Sequence, residues 1–297
     1  MTAALLALAA LAAPEVRVDD PARAALAPPD GADLVLVYAA GQDGAIGPCG
    51  CGGAGGLPRL GAYVGSLRER GEPVLLLAPG GWMASVGAGD ALSSWSVETN
   101  AWFHRALAEL RYDALLVSYR DLAGAAAAGH PGYVSATHRP AALPVARYKV
   151  FDVDGLRVAV TGVSRDGLQS MQPALRGPVA APVPAVRALL PELADADVVV
   201  VLAFEVPREV PALAALPGVD VVIEAADYDE RWPAVAEGDA VWVRSLAGGV
   251  RAGELRLWVE DGRVVRAVDR QVPLDDTLAG APRLKRLQAL QEAATAP

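Results

Sequence analysis

Six strand-length apolar runs set the limits on this fold: "DLVLVYAA" (33–40), "PVLLLAP" (73–79), "DALLVSY" (113–119), "LRVAVTGV" (156–163), "ADVVVVLAF" (196–204) and "VDVVIEAA" (219–226). Runs that are apolar throughout, rich in Val and Leu and without strict alternation, belong to strands covered on both faces. Helical patterns separate several of them. "RLGAYVGSLRERG" (59–71) puts Leu60, Val64 and Leu67 on one face and stops at Gly71, and "SVETNAWFHRALAELR" (96–111) offers Ser96 and Thr99 as caps. A third stretch, "VPAVRALLPELADA" (183–196), is interrupted or restarted at Pro191. The core is of the α/β class.

Beyond this core the pattern changes. Residues 239–274 alternate apolar and polar side chains around the hairpin signal "EDGR", which predicts an antiparallel edge or a second sheet. Residues 275–297 read as a short helical tail that frays. At the other end, "MTAALLALAALAAPEV" has the length of a secretory hydrophobic segment and small residues for cleavage, which predicts a signal peptide over 1–13. An Ala-rich terminal helix is the alternative, since no Lys or Arg precedes the run. The run is too short to span a bilayer, and no cysteine follows it to carry a lipid. Residues 14–32, rich in Pro, Ala and Asp, read as a linker into a single domain over 33–274. The expected location is periplasmic or secreted, with no membrane insertion after cleavage.

A formal net charge of -9 excludes a nucleic-acid or anionic-membrane partner, because both need clustered Lys and Arg. The only two cysteines, Cys49 and Cys51, stand one residue apart in "GPCGCGGAGGLPRLGAYV" (47–64). They could form a local disulfide, a labile redox pair or a soft metal site; zinc sites space cysteines two to four apart, so one intervening residue is a poor zinc signal. In the same loop Gly55, Gly56 and Arg59 are candidates for holding an anion at a helix start, against a plain loop-to-helix turn. Ser164 in "GVSRDG" lacks the second glycine of a nucleophile elbow. His104 reads as a packing or surface residue, and His130 and His138 as residues of solvated loops.

A strand, a "PCGC" loop, "GGL-R" opening a helix, "LLL--G-", a helix ending in "YDAL-V", then "SAT" (135–137), "YKVFDVDGLRVAVTGV" (148–163) and "LPGVDVVIEA" (216–225) together resemble the metallophosphoesterases of the 5′-nucleotidase and calcineurin-like type. The resemblance spans about 33–260. It implies an α/β/β/α sandwich, two mixed sheets flanked by helices, and in the family a two-metal site at the C-terminal strand ends.

The metal ligands that the resemblance implies are nearly all replaced. Gly41 stands for the Asp, and Asp43 for the His, of the first motif. Gly81 stands for the bridging Asp. Tyr119 and Arg120 replace the Asn and His of "GNHE". Phe204 replaces the next His, and Ala226 and Tyr228 replace two more. Asp43 alone of these can still bind a metal, so no metal and no catalytic residue is expected, and the chain reads as a non-catalytic binding or scaffold module with an envelope protein or a small ligand as partner. The nucleobase-gripping domain of longer nucleotidases is expected to be missing. The alternative is a metal-dependent phosphoesterase with two divalent ions in a site rebuilt from Asp43, Asp121, Glu205, Glu224, Asp227 and Asp229; a lesser one is thiol redox through Cys49 and Cys51. If Arg120 faces Asp43 or Asp121, an ion pair fills the cavity instead.

Overall fold

The computed structural model describes residues 13–48, 53–84, 94–127, 130, 132–140, 143–167, 177–226, 228 and 232–295. All six apolar runs form parallel strands: β2 (Leu34–Tyr38), β3 (Val74–Ala78), β4 (Ala114–Leu116), β7 (Leu156–Ser164), β8 (Val198–Phe204) and β9 (Val221–Ala225). Seven strands make one sheet in the order β1-β13-β12-β2-β3-β4-β5, with β1 at Glu15–Asp19, β5 at Tyr133–Val134, β12 at Arg251–Glu260 and β13 at Arg263–Pro273. Six make the other, in the order β10-β11-β9-β8-β7-β6, with β6 at Tyr148–Val153, β10 at Val235–Glu237 and β11 at Ala240–Ser245. Both sheets are mixed, as expected: β12 pairs antiparallel with β13 and β2, and β6 and β10 close the second sheet antiparallel.

The main core lies between the sheets, where Leu36, Val160, Val200, Phe204 and Leu255 meet in one buried cluster. Helices α1 (Leu57–Glu69), α2 (Ser94–Leu110), α3 (Leu122–Ala127) and α6 (Pro282–Thr295) go with the seven-stranded sheet, and α4 (Pro182–Leu189) and α5 (Val210–Ala214) cover the six-stranded one. Pro191 opens a 3-10 turn directly after α4. Helix α2 begins at Ser94, so Ser96 and Thr99 lie inside it. Among the described residues no helix is long and apolar enough to cross a membrane.

Two terminal segments depart from expectation. Within the expected linker, Glu15–Asp19 is a strand paired in parallel with β13. Its "EVRVD" alternation suits an edge strand, and the Pro- and Ala-rich surroundings conceal it. The rest of that segment is held by Arg256, whose fully buried guanidinium bonds to Asp30 (2.7 Å), Glu72 (2.6 Å) and Glu254 (3.1 Å). The expected fraying tail is instead docked: Leu284 is buried, and Gln291 accepts from the Ile46 N–H (2.9 Å) while donating to the carbonyls of Gly44 (2.8 Å) and Thr99 (3.0 Å). Residues 1–12, which hold nearly all of the expected leader, lie outside the described residues.

Four parallel strands are entered from an aspartate, and the side chain extends the ladder there. Asp113, Asp197 and Asp220 each donate their N–H to a carbonyl on the neighbouring strand or at its start, at Leu76, Arg157 and Val199, and each carboxylate accepts the N–H of that same residue at 2.7–2.8 Å. Asp33 does likewise across β12, bonding the Leu257 carbonyl and the Val259 N–H. A carboxylate thus stands in for the carbonyl that the ladder lacks at its first rung, satisfying a backbone donor.

At Asp220 burial pushes the carboxyl pKa up to about 6, beyond what the Val199 bond and Arg263 pull back. The native state therefore holds the proton more tightly than the unfolded chain, and the stability this site contributes is full below about pH 4 and is lost as pH rises through about 6. The Asp220→Asn substitution keeps an acceptor for Val199. The difference in denaturation midpoint, variant minus wild type, is expected to grow from pH 4 to pH 7; an unchanged difference refutes the assignment.

Candidate functional site

The C-terminal ends of the parallel strands from both sheets converge, and there residues that the resemblance assigns to ligand positions, among them Gly81, Tyr119 and Phe204, sit side by side. Phe204 ends β8 with its side chain 1% exposed. A Cβ placed on Gly80 would lie 2.6 Å from its ring, and one on Gly81, at φ 66°, would lie 2.9 Å from it. An aspartate at Gly81 therefore meets both a backbone conformation that L-residues avoid and an aromatic ring in its space. At Gly41 a Cβ would come within 3.0 Å of the Gly248 nitrogen. At Gly41, Gly80 and Gly81 the chain is packed shut rather than left as an open cavity.

Above this apolar floor lies a layer of phenols, carboxylates and guanidiniums. The Tyr119 hydroxyl donates to Glu205 Oε2 at 2.6 Å, Arg165 Nε donates to the same oxygen at 2.5 Å, and the Arg165 guanidinium lies 4.4 Å from the Tyr119 ring centre. Arg165 also donates to the Tyr119 oxygen. The same arrangement recurs nearby: the Tyr228 hydroxyl donates to Glu224 Oε1 at 2.6 Å, Arg244 Nε donates to Glu224 Oε2 at 3.1 Å, and the Arg244 guanidinium lies 4.0 Å from the Tyr228 ring. Trp242 adds an indole N–H to Glu224, at 3.1 Å. Tyr119 and Tyr228 thus each have a glutamate to bond and a cation against the ring face.

Electrostatics follow from these contacts. Burial, then the Glu205 bond and charge, push the Tyr119 phenol up to about 12. Burial alone would raise the Glu205 carboxyl, but the Tyr119 and Arg165 bonds, with the charges of Arg165 and Arg120, outweigh it and hold Glu205 below the usual range. Arg120 bridges the sheets. Its Nη2 lies 3.2 Å from Asp43 Oδ1 and its Nη1 3.5 Å from Glu205 Oε1. Asp43 and Glu205 adopt φ of 45° and 53°, conformations that cost a non-glycine residue about 1–3 kcal/mol.

Asp121, the other acid considered for Arg120, points away from it. The carboxylate is fully buried and accepts N–H bonds from Gly81 (3.1 Å), Trp82 (2.9 Å), Met83 (3.0 Å) and Ser118 (3.2 Å), besides the Ser118 hydroxyl (2.5 Å). It anchors the loop after β3 to the loop after β4 and is not free to bind a metal. Burial raises its pKa against the pull of these bonds.

The anion candidates are likewise spent on the protein. Arg59 Nη1 reaches the carbonyls of Gly53, Gly55 (3.3 Å) and Leu274 (3.3 Å), the Gly55 N–H donates to Leu274, and Gly56 at φ 93° turns the chain into α1. Two of the histidines are less exposed than expected. His138 is buried, with Nε2 3.1 Å from the Arg165 carbonyl, and His130 packs 5.8 Å from the Tyr133 ring, where burial lowers its pKa to about 4. His104 packs against both Trp82 and Tyr133, which also pack against each other. Ser164 is buried in β7 with no base beside it among the described residues. Cys49, Cys51, Asp227 and Asp229 lie outside the described residues.

Compared with solved structures, the chain is similar to the sulfate thiohydrolase SoxB of Thermus thermophilus (TM-score 0.74, 16% identity, covering 91% of this chain and 62% of that one). It is also similar to a 5′-nucleotidase precursor from the same organism (0.72, 19%, 88% and 58%) and to the NAD nucleotidase of Haemophilus influenzae (0.67, 14%, 88% and 60%). The fold is that of the metallophosphoesterases. At these identities the likeness establishes the fold alone, and the chain spans about three fifths of the length of the structures it matches. The sequence matches no family model and no curated protein.

A two-metal metallophosphoesterase centre needs several carboxylate, imidazole and amide donors converging on the ions. Among the described residues no three His, Cys, Asp or Glu side chains are grouped to hold a metal. With Phe204 over Gly80 and Gly81 and a guanidinium between Asp43 and Glu205, the described residues do not fit such a centre. Asp121→Ala removes the acceptor of four buried N–H groups, so it is expected to cost at least about 3 kcal/mol in a denaturant titration. A loss below about 1 kcal/mol contradicts the anchoring role.

Proposed function

We propose that the chain is an exported, non-catalytic relative of the 5′-nucleotidase-like metallophosphoesterases and serves in the cell envelope as a binding or scaffold module. The observation that carries this reading is the side-chain inventory where the strands of both sheets end. Phe204 fills the space against Gly81 that a bridging carboxylate would need, and Arg120 puts a fixed positive charge between the remaining acids. A divalent ion at the same place would meet that charge at close range. The glutamates that the rebuilt-site alternative requires are committed: Glu205 to Tyr119, Arg165 and Arg120, and Glu224 to Tyr228, Trp242 and Arg244.

Export rests on the leader-like run at 1–13 and is supported by a structural neighbour described as a precursor. A small ligand or an envelope protein is the partner this reading calls for. The layer at the strand ends is the surface available to it, since Arg165 is half-exposed there.

Metal analysis of purified protein, combined with hydrolysis of bis(p-nitrophenyl) phosphate in added Mn²⁺, tests the proposal. The expected result is substoichiometric metal and no turnover above a buffer control. A bound pair of metals with turnover abolished by Asp43→Ala overturns it.

A further inference from the structure

The segment before β2 is an arm laid on the rest of the chain. Over residues 14–30 only Pro14 and Ala27 are buried. β1 is the end strand of its sheet, parallel to β13 in a register that runs from Glu15 opposite Arg266 to Asp19 opposite Arg270. Three guanidiniums hold the arm there and beyond. Arg270 bonds Asp19 (2.8 Å) and the Ala25 carbonyl (3.0 Å), Arg70 bonds the Ala27 carbonyl (2.7 Å), and Arg256 bonds both oxygens of Asp30 at 2.7–3.1 Å. The arm meets the domain at Gly31, which is exposed at φ 72°, and no non-neighbouring atom of the described residues lies within 4 Å of where its Cβ would stand. Ala32, the next residue, is buried. Gly31 is therefore the pivot.

The arginines that hold the arm do not depend on it. Arg256 also bonds Glu72 (2.6 Å) and Glu254 (3.1 Å), Arg270 bonds Glu254 (3.2 Å), and Arg70 lies 3.1 Å from Glu72. When the arm lifts, each guanidinium keeps a carboxylate. No buried charge is orphaned, which is the step that makes breaking an ordinary buried ion pair costly. What remains is a preformed groove: the free β13 edge, with Arg270 and Arg256 placed for acids spaced as Asp19 and Asp30 are.

We infer that residues 14–30 are an exchangeable arm, and that the β13 groove of one chain takes the arm of a second copy to give a reciprocal dimer. The occupant of the groove in the structure is this same segment, so a second copy brings the matching ladder groups and the matching acids. Exchange repeats every contact of the closed chain, and its cost is confined to the pivot and to association itself. A short tether keeps a chain's own arm at an effective concentration in the millimolar range. The dimer is therefore expected to grow as protein concentration approaches that range. None of these residues belongs to the layer at the strand ends, so the inference stands or falls apart from the non-catalytic reading.

The test mixes two full-length populations carrying tags of different size, both with Cys49→Ser and Cys51→Ser. One has Arg17→Cys on the arm, and the other has Val268→Cys, its register partner on β13. After incubation at high concentration and mild oxidation with copper phenanthroline, a disulfide joining the two populations is expected. Its yield should stand well above that of a collision control in which Val97→Cys, exposed on α2, replaces Val268→Cys. Adding Asp19→Asn and Asp30→Asn to the arm donor alone is expected to cut the cross-link several-fold, because Arg270 and Arg256 of the acceptor then keep the acceptor's own acids. Sedimentation of the unmodified chain is expected to show a dimer fraction that rises with concentration.

The inference is overturned if the cross-link does not exceed the Val97→Cys control, if donors with Asp19→Asn and Asp30→Asn cross-link equally, or if the unmodified chain stays monomeric up to millimolar concentration. A dimer of the unmodified chain without the arm-to-groove cross-link overturns it too, since the two copies then meet elsewhere.

Discussion

The ring of Phe204 lies against Gly80 and Gly81, and this contact governs what the strand ends of both sheets can hold. It joins the last residue of β8 to the loop after β3, so the two sheets close on each other there. With a fully buried aromatic ring at that point, a side chain at Gly81 would have to displace it. The two positions are therefore coupled by packing.

The polar layer follows from the same constraint. Tyrosines at 119 and 228 bring hydroxyls to a crowded, partly dry surface, and a buried hydroxyl without a partner is costly. Glu205 and Glu224 supply the acceptors, and Arg165 and Arg244 neutralise the glutamates while stacking on the phenol rings. Two sets of tyrosine, glutamate and arginine thus solve one problem in one way at neighbouring strand ends. Asp121 solves a different one beneath them: it gathers the amides of residues 81–83, which fixes the loop on which the Phe204 ring rests.

The strands were legible because burial on both faces removes polar residues from a run, and six such runs became the six parallel strands. Strand β1 was not, because an edge strand needs only alternation and five residues, and "EVRVD" stands among prolines and alanines that argue for a linker. At the site, Arg120 beside Asp43 could be read from charge alone. Arg165, Arg244 and Trp242 could not. They come from strands and loops far apart in the chain, and only the sheet order brings them onto Glu205 and Glu224. Asp121 was read as a potential metal ligand for the reason that made it an anchor: a carboxylate at a strand end has strong acceptors, and the sequence does not say whether amides or cations fill them. His138 was misplaced similarly, since an isolated imidazole in a polar stretch gives no sign that a carbonyl waits for it.

Charge is sorted along the strand axis. Aspartates 33, 113, 197 and 220 stand where strands begin, each fixed by a backbone N–H across the ladder, whereas Arg120, Arg165 and Arg244 stand where strands end. The aspartates are determined by ladder geometry and have no freedom to serve the other end. The guanidiniums at the exits pair with acids gathered beside them: Arg120 with Asp43 and Glu205, Arg165 with Glu205, and Arg244 with Glu224. Beside this layer the exposed Trp232 rests 4.4 Å from the Arg244 guanidinium and stacks on Trp242, which leaves an aromatic face next to the paired charges.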